Sequence, residues 1–166
     1  MVEDFVRGKG YLTLGTRFKR IGDRLQADVQ QLIDAAGLAV QTGQYPLLAA
    51  LDEMGPMTIG DLAAALGVSQ PGVTRSVGQL AKQGVVTVRR GSRDQRKRRV
   101  ELTEKGRTLV ADGRQTIWPL IETHLADICA DTDGPLLDQL DALETRLQEK
   151  SLYSRVMETK EGNTNE

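Results

Sequence analysis

The fold is decided by residues 58–106, TIGDLAAALGVSQPGVTRSVGQLAKQGVVTVRRGSRDQRKRRVELTEKG. Thr58, with Asp61 three residues on, predicts a capped helix start, and Ile59, Leu62, Ala63 and Leu66 supply the inward face of a short helix. Gly67 provides a turn. Ser69 is placed to cap the next helix, whose first turn holds Pro71 where no intrahelical N–H is required. Val73, Val77 and Leu80 give that helix its inward face, Thr74, Arg75 and Gln79 fall on other faces, and Gly84 ends it. Val85–Arg90 and Arg98–Leu102 then read as two short strands, with Val86/Val88 and Val100/Leu102 in alternation around the polar turn Gly91-Ser92-Arg93-Asp94. Thr103 is the expected N-cap of a further helix.

The flanks are helical. Leu12, Leu14, Phe18, Ile21, Leu25, Val29, Leu32 and Ile33 form an apolar stripe on a long first helix, Leu12–Ala36, with Arg17, Lys19, Arg20, Arg24 and Asp28 off the stripe and Gly37 at its end. A second helix is expected over Tyr45–Met54, with Pro46 in its first turn and Gly55-Pro56 as the stop. Beyond Thr103, the helix carrying Leu109, Ile117, Leu120, Ile121, Leu125 and Ile128 should bend at Pro119. Asp133-Gly134-Pro135 opens a last helix with Leu136, Leu140, Leu143 and Leu147, and the tail is polar from about Thr159. No internal repeat is visible. The whole reads as mainly α with a small β-hairpin wing: an N-terminal helix (1–41), a winged helix-turn-helix (42–107), C-terminal helices (108–157) and a frayed tail (158–166).

Composition narrows the function. The chain has 166 residues, about one domain's worth, with 39% apolar and 27% charged residues and a formal charge of −1. That near-neutral total hides a segregation: residues 1–55 carry 6 bases and 7 acids, residues 56–111 carry 11 bases and 4 acids, and residues 112–166 carry 5 bases and 12 acids. A local basic field is what a polyanion responds to. The longest purely apolar runs, Leu47–Leu51 and Leu62–Leu66, are far too short for a transmembrane helix, and the charged start of the chain leads us to expect a cytoplasmic protein. One cysteine, Cys129, and one histidine, His124, leave no internal disulfide and few ligands for structural zinc. We expect no cofactor and no metal. No nucleophile–base pair, glycine-rich phosphate loop or ligand cluster supports an enzyme. His124 reads as a helix-face residue. Cys129 is open to redox sensing, with ordinary packing the better-supported reading.

A helix fit for the major groove needs short polar and basic groups near its N-terminus. Ser69, Gln70, Pro71, Thr74 and Arg75 meet that need: Arg75 suits guanine O6/N7, and Gln70 suits adenine or a phosphate. The hairpin offers a second contact, since Arg89, Arg90, Arg93, Arg96, Lys97, Arg98 and Arg99 face one acid, Asp94, between residues 89 and 99. A ribbon that basic suits the minor groove and its flanking phosphates. Each element alone has an ordinary reading, as two packed helices or a solvated loop. Their order and spacing argue for nucleic acid.

Leu12–Leu147 resembles the MarR family of bacterial and archaeal transcription regulators. The match rests on Asp94-Gln95-Arg96, five residues, then Leu102-Thr103-Glu104-Lys105-Gly106, the family's D-x-R-x5-L-T-x-x-G wing signature. Ser69–Arg75 is similar to its recognition-helix start, and Leu80–Val86 to its passage into the wing. The resemblance implies a homodimer in which N- and C-terminal helices interlock above two winged domains. It implies that Arg96 enters the minor groove and that Asp94 positions Arg75 or Arg96, a turn-stabilising Asp94 being the alternative. It also implies a small aromatic or phenolic effector, for which Arg17, Tyr45 and Trp118 are the candidate contacts. Gly72 and Gly78 in the recognition helix, and the extra bases Lys97-Arg98-Arg99, depart from the pattern. Tyr11–Gly22 is similar to regulators that carry an added acetyltransferase domain, an activity not expected of this chain. The reading is a homodimeric DNA-binding regulator, a repressor released by ligand on a pseudo-palindromic operator; the alternative is a winged-helix protein–protein module.

Overall fold

A computed structural model describes residues 3–90, 98–130, 132 and 134–162. It falls into two units, Met1–Ile121 and Glu122–Glu166. The first contains α1 (Leu14–Ala35), α2 (Tyr45–Met54), β1 (Met57–Thr58), α3 (Ile59–Leu66), α4 (Gln70–Lys82), β2 (Val86–Arg90), β3 (Arg98–Leu102) and α5 (Glu104–Thr116). Helix α6 (Trp118–Ala130) begins in the first unit; α7 (Leu136–Glu149) and α8 (Leu152–Gly162) lie in the second.

The core collects the inward faces that the sequence pattern marks. Leu47, Leu48 and Leu51 of α2, Leu62 and Ala63 of α3, Val73, Val77 and Leu80 of α4, Val86 and Val100 of the sheet, and Leu109 and Val110 of α5 are buried together. Turning α3 into α4 within a few residues requires a left-handed step, and Gly67 takes it at φ 64°, ψ 26°. The capping box at α3 is formed: the Thr58 hydroxyl accepts the Asp61 N–H at 3.1 Å and the Asp61 carboxylate reaches back to the Thr58 N–H at 3.4 Å.

The sheet has three strands in the order β1-β3-β2, all antiparallel. The hairpin register pairs Val86 with Leu102, Val88 with Val100 and Arg90 with Arg98. Strand β1, with Met57 opposite Val100, is absent from the sequence reading. Two residues give no alternation to detect; their pairing is made by β3, some forty positions downstream.

Three helix boundaries also differ. The chain before Leu14 is a 3-10 segment, Arg7–Thr13, rather than the start of α1, because Gly10 breaks it at φ 55°, ψ −135°. The single bent helix expected through Pro119 is two helices, α5 and α6, separated at Ile117. Pro119 has no N–H to offer the Gln115 carbonyl, so the ladder is interrupted. The last helix likewise divides into α7 and α8, and α8 continues to Gly162, past the expected onset of the tail.

One junction ties α4, the sheet and α5 together. The Val85 carbonyl accepts the Thr103 N–H at 3.0 Å, and the Thr103 hydroxyl lies 2.7 Å from the Gly84 carbonyl and 3.0 Å from that of Val85. The same hydroxyl accepts the Gly106 N–H at 3.1 Å and so caps α5. Gly106 sits against this junction so closely that a Cβ there would lie 2.2 Å from the Val85 oxygen. Backbone on backbone cannot yield cheaply. Gly106→Ala should therefore destabilise the fold by roughly 1–3 kcal/mol or more, read as a lower urea-denaturation midpoint; an unchanged midpoint would contradict the packing described.

Candidate nucleic-acid interface

Helix α4 presents its first turn by burying its opposite face. Val73, Val77 and Leu80 are 2%, 3% and 0% exposed, whereas Ser69, Gln70, Pro71, Thr74 and Arg75 are all on the surface. Ser69 caps the helix, its hydroxyl accepting the Gly72 N–H at 3.4 Å. The first turn holds no acid, which leaves the positive end of the helix dipole unopposed. Thr74 donates its hydroxyl proton to the Gln70 carbonyl at 2.9 Å, so its oxygen is left to accept from a partner. The Gln70 amide leans toward α3, with its nitrogen 3.3 Å from where a Gly60 Cβ would stand. The missing side chain at Gly60 is what makes room. On the far half of α4, buried Gln44 donates to the Gln79 side-chain oxygen at 3.1 Å. That brace spans 35 positions, and nothing local in the sequence signals it.

The wing strands carry more charge than their pairing tolerates without help. Arg89 stands directly opposite Arg99, a like-charge pair that costs stability on one sheet face. Glu101 relieves it, holding the Arg89 guanidinium at 2.7 Å, and Arg99 donates to the Pro56 carbonyl at 3.4 Å. Arg89 is thus held in place while still largely exposed. Arg98 is exposed on β3 opposite Arg90. Arg93, Asp94, Arg96 and Lys97 lie outside the described residues, and with them the Asp94–Arg75 or Asp94–Arg96 pairing. Gly78 is exposed with open space around it, while a side chain at Gly72 would crowd the capping Ser69 hydroxyl at 3.3 Å.

The three candidate effector contacts do not come together as a group. Tyr45 and Trp118 meet edge to face, ring centroids 6.0 Å apart at 80°. Gly113 makes that meeting possible, because a Cβ there would lie 3.1 Å from both rings. Arg114 completes the cluster: its guanidinium lies 5.5 Å from the Trp118 ring centroid and pairs with Asp52 at 3.1 Å and Glu53 at 3.3 Å. Arg17 instead lines a cleft with Asp4, Arg7, Arg20, Ile21, Arg24 and Leu25. Among the described residues no group of His, Cys, Asp and Glu is arranged to hold a metal ion, and no helix is long and apolar enough to cross a membrane.

Two short helices with a capped, outward-facing second helix and an antiparallel wing define a winged helix-turn-helix. The profile of the MarR family matches residues 36–97, from the end of α1 into the wing. Solved structures extend the likeness over most of the chain. The transcriptional regulator BldR from Sulfolobus solfataricus is 21% identical, with a TM-score of 0.65 over 87% of this chain and 99% of its own. The transcriptional regulator MosR of M. tuberculosis, solved in complex with DNA, is 26% identical, with a TM-score of 0.64 over 82% of this chain and 96% of its own. BpsR of Bordetella bronchiseptica, whose DNA binding is regulated by 6-hydroxynicotinic acid, is 22% identical, with a TM-score of 0.62 over 82% and 93%. Residues 36–97 thus match the MarR family model, and the chain shares the fold of these transcriptional regulators.

The Tyr45 hydroxyl is buried with no hydrogen-bond partner among the described residues, and burial, followed by the Asp112 charge, raises its pKa above the ordinary value near 10. The folded chain therefore holds this proton more tightly than the unfolded one. Stability from this group is complete below about pH 10 and falls as pH rises toward the raised value. Tyr45→Phe should match or exceed the parent's thermal stability at neutral pH and flatten the alkaline loss; a marked drop at pH 7 would show that the hydroxyl has a partner.

Proposed function

We propose that the chain is a cytoplasmic, sequence-specific DNA-binding regulator that acts as a homodimer on a pseudo-palindromic operator, as a repressor released by a small-molecule effector. The observation that carries the reading is the exposed start of α4, where Ser69, Gln70, Pro71, Thr74 and Arg75 are on the surface, beside an arginine-bearing sheet in the one strongly basic part of the chain. In a major groove, Arg75 reads a guanine edge, Ser69, Gln70 and Thr74 contact bases or phosphates, and Pro71 packs at the helix entry. Arg89, Arg93, Lys97 and Arg98 contact phosphates along the wing, Asp94 positions a neighbouring arginine, and Arg96 enters the minor groove. The structure of MosR with DNA, which shares this fold, supports that partner.

Homodimerisation is supported by exposed apolar surface on individual helices. Along α1, Phe18, Ile21, Leu25 and Leu32 are 40%, 50%, 37% and 48% exposed, and no residue of α6 or α7 is buried. The 1–41 and 108–157 segments then serve as the dimerisation elements. The effector role follows BpsR, whose DNA binding a hydroxylated aromatic acid regulates. Tyr45 and Trp118, a pre-packed pair, remain the proposed contacts for such a ligand, with Arg17 lining a separate cleft on α1. A coupling of about 1–3 kcal/mol is enough to release DNA.

Fluorescence anisotropy with DNA from the gene's own upstream region, scrambled DNA alongside and salt titrated, tests this reading. Selective binding with a steep negative slope of log K against log salt is expected. Arg75→Ala should cost about 1–3 kcal/mol and relax selectivity. Glu101→Gln, which frees Arg89, should tighten binding at low salt and steepen the slope. No binding at low salt by a folded protein would overturn the proposal in favour of a protein-recognition module.

A further inference from the structure

Helix α4 has a notch in the face it turns to solvent. The glycines of α3, α4 and α5 are Gly60, Gly72, Gly78, Gly106 and Gly113. Four of them have a reason within the chain. A Cβ would stand 3.3 Å from the Gln70 amide at Gly60, 3.3 Å from the Ser69 hydroxyl at Gly72, 2.2 Å from the Val85 oxygen at Gly106 and 3.1 Å from two aromatic rings at Gly113. Gly78 has no such reason. A Cβ there would meet nothing within 4 Å, and its φ is not positive, so neither crowding nor backbone conformation calls for glycine. Yet it stands inside a helix, where glycine is the poorest residue after proline.

The two sides of the notch differ. Thr74 and Ala81, four residues before and three after, flank it on one side; Arg75 and Lys82, three before and four after, flank it on the other. All four are exposed. The Thr74 hydroxyl is turned back to the Gln70 carbonyl at 2.9 Å, and the rest of that side chain offers a methyl. The notch thus has the room of one missing methyl, two methyl groups along one side and two cations along the other.

We propose that this notch receives the C5-methyl group of a thymine, which makes Gly78 a specificity-determining residue. The inference rests on the reading of α4 as a major-groove helix. In that groove thymine alone among the four bases presents an apolar protrusion on its edge. Thr74 and Ala81 give the methyl apolar contact, while Arg75 and Lys82 reach neighbouring base edges or phosphates. A side chain at position 78 would fill the same space and hold the helix away from the base.

Uracil lacks only this methyl. Anisotropy titrations at one salt concentration compare the gene's upstream duplex made with thymine and the same duplex made with uracil throughout. The parent should bind the uracil duplex about fourfold or more weakly, the effect of leaving one methyl unburied. Gly78→Ala should bind the thymine duplex more weakly than the parent, lose most of the difference between the duplexes, and melt at a higher temperature because alanine favours the helix. Equal binding of both duplexes by the parent would overturn the inference and leave the DNA reading intact. So would a Gly78→Ala variant that binds the thymine duplex as tightly as the parent, keeps the parent's preference, or melts at a lower temperature. Failure of the parent to bind either duplex at low salt would overturn both readings.

Discussion

The Val85 carbonyl is the point on which the rest of this architecture turns. Helix α4 ends there, the wing begins there, and α5 starts against it through Thr103 and Gly106. Three elements that would otherwise be joined only by the chain acquire one fixed relation through a handful of hydrogen bonds and one missing side chain. The Leu102-Thr103-x-x-Gly106 pattern thereby acquires a physical meaning. Thr103 is both strand exit and helix cap, and Gly106 permits the helix to approach the backbone of the preceding strand. A recognition helix and a wing read the same stretch of duplex only if their mutual placement is fixed before binding, and this junction fixes it.

Electrostatics work against the fold and toward a polyanion. Arg89 opposite Arg99 is a strand pairing that a purely structural sheet would avoid. Glu101 and the Pro56 carbonyl temper it without burying either guanidinium. Helix α4 shows the same bias, with an acid-free first turn and an exposed Arg75. Such pairs sit on the surface, where they add little to stability. The arrangement suits the phosphate-backbone contact proposed for it above.

Most of the local structure was legible because its causes are local. The caps at Thr58, Ser69 and Thr103 each rest on a side chain bonding an N–H three residues away, and each is formed. The inward residues of α3, α4 and the hairpin follow from periodicities of 3.6 and 2. Long-range features were invisible: β1, the Gln44–Gln79 brace and the Glu101 hold on Arg89 depend on register across the sheet and on separations that no window spans. The division at Ile117 was half legible. Pro119 marked the place, and a bend became a break. Helix α8 did carry a signal, Leu152 and Val156 four apart, but its polar surroundings masked it. The aromatic pair of Tyr45 and Trp118 was marked for chemistry, and its packing over Gly113 emerged only in three dimensions.

The central claim is that α4 enters the major groove while the wing takes the minor groove, in two copies. Dimethyl sulfate protection on a bound operator measures this directly, because the reagent modifies guanine N7 in the major groove and adenine N3 in the minor groove. The account predicts two blocks of guanine protection centred about 10 base pairs apart, or a multiple of that, each flanked on the outside by protected adenines. A bound complex that leaves both grooves equally open to the reagent, held by backbone contacts alone, would contradict it.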